Sequence, residues 1–183
     1  MRKIELNRKL GILIAIILAI GIVWIVEAMA TIDQNTPWTT SASSGTVDDA
    51  DYSIAGLTGP YAYVKSPTGQ LDMRYNVVAI PGLEGGEGPY MNVRFRDTGT
   101  YSRVIVKLQE YNIYTGITQT RMTLDSNNYV ASGSYQTKSV SSCSWSWSYD
   151  FNNNVYYIES SIIKTNSTAN PGLAGVQLGW SIC

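Results

Sequence analysis

The chain has 183 residues and a formal net charge of −1, with no histidine, two cysteines and thirteen tyrosines. The lack of histidine excludes a Ser-His-Asp triad, a Cys-His pair and every His-based metal site, and two thiols are too few for a zinc site built of thiolates. Beyond residue 30, nine basic residues stand against twelve acidic ones, with no basic patch, so nucleic acid is not expected as a partner.

Residues 10–26 read LGILIAIILAIGIVWIV, uncharged and almost wholly aliphatic. Arg2, Lys3, Arg8 and Lys9 precede them, with Glu5 among these, and Glu27 closes the run. Three readings fit. A secretory signal peptide has a basic start, an apolar middle and small residues before the cut, here Ala28 and Ala30 ahead of Thr31. An uncleaved anchor needs about 17–25 apolar residues, keeps its basic flank in the cytoplasm and puts Trp24 at the outer interface. A pilin-like leader would end at Gly11, although the glutamate expected soon after that cut is replaced by Ala15, Ile16 and Ile17. Each reading carries residues 10–26 into the membrane during export and leaves Thr31 onward outside the cytoplasm, secreted or anchored.

Residues 31–51 (TIDQNTPWTTSASSGTVDDAD) show no alternation and read as a polar linker ahead of a domain spanning 52–183. Asp48, Asp49 and Asp51 match no calcium-loop spacing and read as an exposed acidic cluster. Strands then follow one another. Residues 61–64 end at the turn Ser66-Pro67-Thr68-Gly69, and residues 73–80 make a second strand. PGLEGGEGP (81–89) is a glycine-rich loop without the Gly-Lys-Ser/Thr step of a phosphate cradle.

Residues 91–96 alternate, with Met91, Val93 and Phe95 on one side and Asn92, Arg94 and Arg96 on the other. Residues 103–109 put Val104, Val106 and Leu108 inward, with Ile105 breaking the outer row. Further strands are expected at 118–124, 139–149, 155–164 and 173–182. In the 139–149 stretch Cys143, Trp145, Trp147 and Tyr149 share one face and serines the other, so Trp145 and Trp147 are assigned to the core, with an exposed row that stacks on sugar rings as the alternative. About eight short strands with no amphipathic helix after residue 30 imply an all-β, antiparallel, jelly-roll-like β-sandwich, preceded by one N-terminal hydrophobic helix. A closed barrel is the alternative.

The segment Tyr149-Asp150-Phe151-Asn152-Asn153-Asn154-Val155-Tyr156-Tyr157-Ile158-Glu159, with the later Pro171-Gly172-Leu173-Ala174-Gly175-Val176, resembles the end of small secreted bacterial β-rich proteins of unknown function. The resemblance is confined to the C-terminal quarter and implies no activity.

An even cysteine count outside the cytoplasm favours a Cys143–Cys183 disulfide. Asn166-Ser167-Thr168 is a glycosylation sequon if the host glycosylates. For catalysis the available chemistry is a carboxylate pair drawn from Glu110, Asp150 and Glu159, as in glycoside hydrolysis. The chain is mostly consumed in making one sandwich, and a non-catalytic extracellular or surface domain, binding or structural and without cofactor or metal, is the better reading. Tyr61, Tyr63, Tyr111, Tyr114, Tyr156 and Tyr157 are the candidates for a ligand-binding patch, with an extracellular glycan or a surface protein as partner. A carbohydrate-binding module and a pilin-like filament subunit are the specific alternatives.

Overall fold

The computed structural model describes residues 36–80, 83, 88–141 and 147–180. Residues 10–26, Ala28 and Ala30, which carry the signal, anchor and pilin-like readings, lie outside the described residues, as do Cys143, Trp145 and Cys183. Among the described residues no helix is long and apolar enough to cross a membrane.

Eleven strands are present among the described residues: β1 (Trp38–Ser41), β2 (Thr46–Val47), β3 (Ala55–Thr58), β4 (Tyr61–Val64), β5 (Gly69–Val77), β6 (Pro89–Asp97), β7 (Ser102–Asn112), β8 (Thr118–Asp125), β9 (Ser132–Ser141), β10 (Asn154–Lys164) and β11 (Gly172–Trp180). They form two sheets. The six-stranded sheet runs β3-β4-β11-β6-β9, with β1 also paired to β11, and the five-stranded sheet runs β2-β5-β10-β7-β8. Every pairing is antiparallel. The expected two-sheet antiparallel sandwich is what forms.

The core lies between the sheets and follows from alternation. Leu71, Met73, Tyr75 and Val77 of β5 and Met91, Val93 and Phe95 of β6 belong to one buried cluster, and Val104, Val106 and Leu108 of β7 are fully buried as expected. Tyr156, Ile158 and Ile162 of β10 and Val176 and Leu178 of β11 complete the inner layer. The β6–β7 turn needs Gly99, whose φ of 104° is closed to most side chains.

Two expectations are corrected. Residues 31–51 are not a linker throughout: β1 pairs with β11 from Trp38↔Leu178 to Ser41↔Gly175, and Trp38, Ala42 and Val47 belong to the core. A strand pairs wherever a neighbouring edge accepts it, and Thr- and Ser-rich residues show no alternation to announce this. The strand expected at 139–149 also differs. Strand β9 begins earlier, at Ser132, and its described part ends at Ser141, while Trp147 to Asp150 are not strand. Among the described residues there, Tyr149 is core and packs edge-on to Tyr156 and Trp180, and the partly buried Trp147 packs against it.

Candidate functional site

With Met91, Val93 and Phe95 facing inward, β6 presents Tyr90, Asn92, Arg94 and Arg96 on the outer face of the six-stranded sheet. Opposite them on β11 stand Gly179, Gln177, Gly175 and Gly172, in that order. Strand β1 adds Ser41 beside Gly175 and Thr39 beside Gln177, and β9 adds Thr137 beside Arg94 and Ser139 beside Asn92. The register therefore lays side chains in rows that cross the sheet.

The first row is aromatic. Tyr135 of β9 reaches back across β6 and β11 to Tyr61 of β4, with ring centroids 4.7 Å apart. The Arg96 guanidinium lies 5.0 Å from the Tyr135 ring centre, and it donates from Nε to the Asn170 carbonyl at 2.8 Å and from Nη2 to Asn170 Oδ1 at 2.7 Å. Gly172 makes this possible, because a Cβ there would stand 2.5 Å from the Tyr135 hydroxyl. Burial pushes the Tyr135 hydroxyl pKa upward, against the pull of Arg96.

A second row is polar and hydrogen-bonded across four strands. The Ser139 hydroxyl donates to Asn92 Oδ1, Asn92 Nδ2 donates to Gln177 Oε1 at 2.9 Å, and Gln177 Nε2 approaches Thr39 Oγ1 at 3.4 Å. Between the two rows the sheet is hollow. Gly175 has no side chain, and the strand carries an irregularity between Leu173 and Gly175. The resulting open cleft measures about 450 Å³. It is lined by Asn92 and Arg94 of β6, Gly175 and Gln177 of β11, Thr39 and Ser41 of β1, and Pro60 and Tyr61. A cleft of this size is within the usual range for ligand pockets, about 300–1,000 Å³.

A second hollow, between β8 and β9, has Arg121 and Trp147 on its wall. Its cation is already committed, since Glu110 takes both Arg121 Nε at 2.9 Å and Nη2 at 2.6 Å.

The six tyrosines named from sequence do not form one site. Tyr61, 36 % exposed, lines the cleft. Tyr63 is half-buried in the same strand, over Gly56. Tyr111 and Tyr114 are exposed at the β7–β8 connection of the other sheet, and Tyr157 faces outward from β10. Tyr156 is fully buried among Tyr149 and Phe151, and its hydroxyl accepts the Asp150 N–H at 2.9 Å; it is core, not a ligand contact. Sequence reading missed Tyr135, Asn92, Arg94, Gln177 and Thr39 as site residues.

The candidate carboxylates are each occupied locally. Glu159 accepts from Gln109 Nε2 at 2.9 Å on the outer face of β10, and Glu110 is buried against Arg121. Asp150 closes a turn by accepting from Asn152 N and Asn153 Nδ2. In the acidic cluster Asp48 pairs with Arg74 at 3.0 Å and Asp51 accepts the Asp72 N–H at 2.9 Å. Within the sequon, Asn166 Oδ1 accepts from the backbone and the hydroxyl of Thr168.

No protein-family model matches the chain, and no characterised protein matches it by sequence. Among solved structures, that of TmCBM61 in complex with beta-1,4-galactotriose is similar at 9 % identity, covering 79 % of this chain and 88 % of that one, with a TM-score of 0.39. CBM35 from Paenibacillus barcinonensis is similar at 15 % identity, covering 80 % and 99 %, with a TM-score of 0.40. A cyclase from Fischerella sp. TAU is similar at 11 % identity, covering 80 % and 86 %, with a TM-score of 0.44.

Proposed function

We propose that this protein is an exported, non-catalytic domain that binds extracellular glycan in the cleft between Tyr61 and the Asn92–Gln177 amide pair. One observation carries the reading: an aromatic ring and a row of amides and hydroxyls share a single open cleft on a rigid sheet. A sugar ring has an apolar C–H face and an edge of hydroxyls. Tyr61 offers a flat apolar surface with a polar tip, and Asn92, Gln177 and Thr39 offer both donors and acceptors. The local engagement of Glu110, Asp150 and Glu159 supports binding without hydrolysis.

The test is affinity electrophoresis through a panel of soluble polysaccharides. Retardation by at least one glycan is expected, weakened about tenfold by Tyr61→Ala or Gln177→Ala, the loss of one good contact of order 1.4 kcal/mol. Retardation by none of the panel, or retardation unchanged in both variants, defeats the proposal. The same reading expects export through residues 10–26 and an oxidised Cys143–Cys183 pair. The intact mass of protein recovered outside the cell, with and without reductant, reports both the leader cut and the bond.

A further inference from the structure

The six strands of the sheet that bears the cleft contain one carboxylate among their residues, Asp97, and it is buried. Their outer face carries Arg94 and Arg96. Elsewhere the arginines among the described residues are paired with acids: Arg74 with Asp48, Arg103 with Asp125 and Arg121 with Glu110. Neither Arg94 nor Arg96 has a carboxylate partner among the described residues. A chain whose part beyond residue 30 is acidic by composition therefore presents a locally cationic face, and that face holds the cleft.

The two arginines differ in what they can do. Arg96 is held by the Asn170 carbonyl and side-chain oxygens, so it adds positive potential but offers few donors. Arg94 is exposed, lines the cleft and, among the described residues, reaches only Thr137 Oγ1, from Nη1 at 3.4 Å. That distance lies beyond a good N–H···O bond, about 2.7–3.2 Å. The rest of its planar fork of donors is available to a ligand, and a guanidinium fork matches a carboxylate or sulfate through two parallel bonds. Gly175, directly across from Arg94 in the register, lines the same cleft.

We infer that the cleft selects an acidic glycan, whose anionic substituent is held by Arg94 while its ring lies on Tyr61. This rests on the glycan-binding reading and names the substrate class. The charge-assisted contact is formed on a face with no competing carboxylate, so it contributes to affinity as well as to orientation.

The test uses matched pairs of polymers in the same affinity electrophoresis: polygalacturonate against its carboxyl-reduced form, and dextran sulfate against dextran. Polyglutamate serves as a polyanion without sugar rings. Retardation by the anionic member of either pair, at least about tenfold stronger than by its neutral partner, is expected, and the pair that responds tells carboxylate from sulfate. Arg94→Gln abolishes the difference, Arg94→Lys restores part of it, and Lys107→Gln, which removes a charge from the other sheet, leaves it in place. Circular dichroism of each variant confirms the fold. Equal retardation by charged and neutral members overturns acidic selectivity and leaves glycan binding intact. Retardation by polyglutamate as strong as by the glycans overturns it as well. Retardation by no glycan overturns both readings.

Discussion

The Ser102 hydroxyl donates to Asp97 Oδ1 at 2.6 Å, and both residues are buried. Asp97 ends β6 in one sheet and Ser102 begins β7 in the other, so the bond ties the sandwich together at its rim. The Ser126 hydroxyl donates to the second carboxylate oxygen and accepts the Val104 N–H at 2.8 Å, and Gly99 N donates to Oδ1 at 2.8 Å. Asp97→Ala leaves two buried hydroxyls and an amide without their acceptor. A loss of about 2–4 kcal/mol in urea-unfolding stability is expected. Asp97→Asn keeps the shape but trades one acceptor for a donor, and it falls between wild type and alanine.

Alkali should unfold the protein in a defined window. Tyr75 is buried, with its hydroxyl donating to the Ala42 carbonyl at 2.9 Å, and burial raises its pKa from 10.0 to about 12. Tyr156 is raised to about 12, again chiefly by burial. In the unfolded chain both ionise near pH 10. A folded-state pKa above the unfolded one gives stability that is whole below pH 10 and is lost as the pH climbs through 12. Tyrosinate absorbance of the buried rings should therefore rise together with loss of the β-sheet signal. Full tyrosinate absorbance with the sheet signal unchanged would contradict the burial.

Strand β1 is structural, and Trp38 shows how much. It is 8 % exposed and pairs with Leu178 near the end of β11. Trp38→Ala should cost about 3–5 kcal/mol through lost burial and the cavity left behind. The neighbouring Thr39→Ala, whose side chain faces outward, should change stability by no more than about 0.5 kcal/mol. Equal, small effects at both positions would return the segment to the status of a linker.

Strands β6, β7 and β10 were legible because each buries one side and wets the other, so side-chain chemistry alternates in step with the pleat. Strands β1, β2 and β3 were not. They are two to four residues long, rich in Thr, Ser and Gly, and exist because β11, β5 and β4 offer them edges. Those partners are distant in sequence for β1 and β2. Strand β9 reads SGSYQTKSVS, polar on both faces of a sheet edge, so no period announced its part before residue 139. The site was half legible. The alternation put Asn92, Arg94 and Arg96 together on one side of their strand, but what stands beside them is fixed by the β6–β11 and β6–β9 registers. Tyr135 escaped notice because it lies in that unannounced strand, and Tyr156 was misplaced because two adjacent tyrosines must point to opposite faces and sequence did not say which was inward.

The glycines on the outer face of β11 act on the accuracy of assembly. A Cβ at Gly172 would stand 2.5 Å from the Tyr135 hydroxyl, one at Gly175 2.8 Å from the Thr40 carbonyl oxygen, and one at Gly179 2.5 Å from the Tyr90 hydroxyl. In an antiparallel pair a slip of one residue turns every side chain to the other face. For β11 such a slip would drive Leu173, Val176 and Leu178 outward into the space held by two rings and by the backbone of β1, while stripping the core of the same three residues. Mispairing is thus penalised from both sides of the strand at once. The glycines thus make room for two rings and a neighbouring backbone only in the observed alignment of the central strand, and the slipped alignment loses that fit.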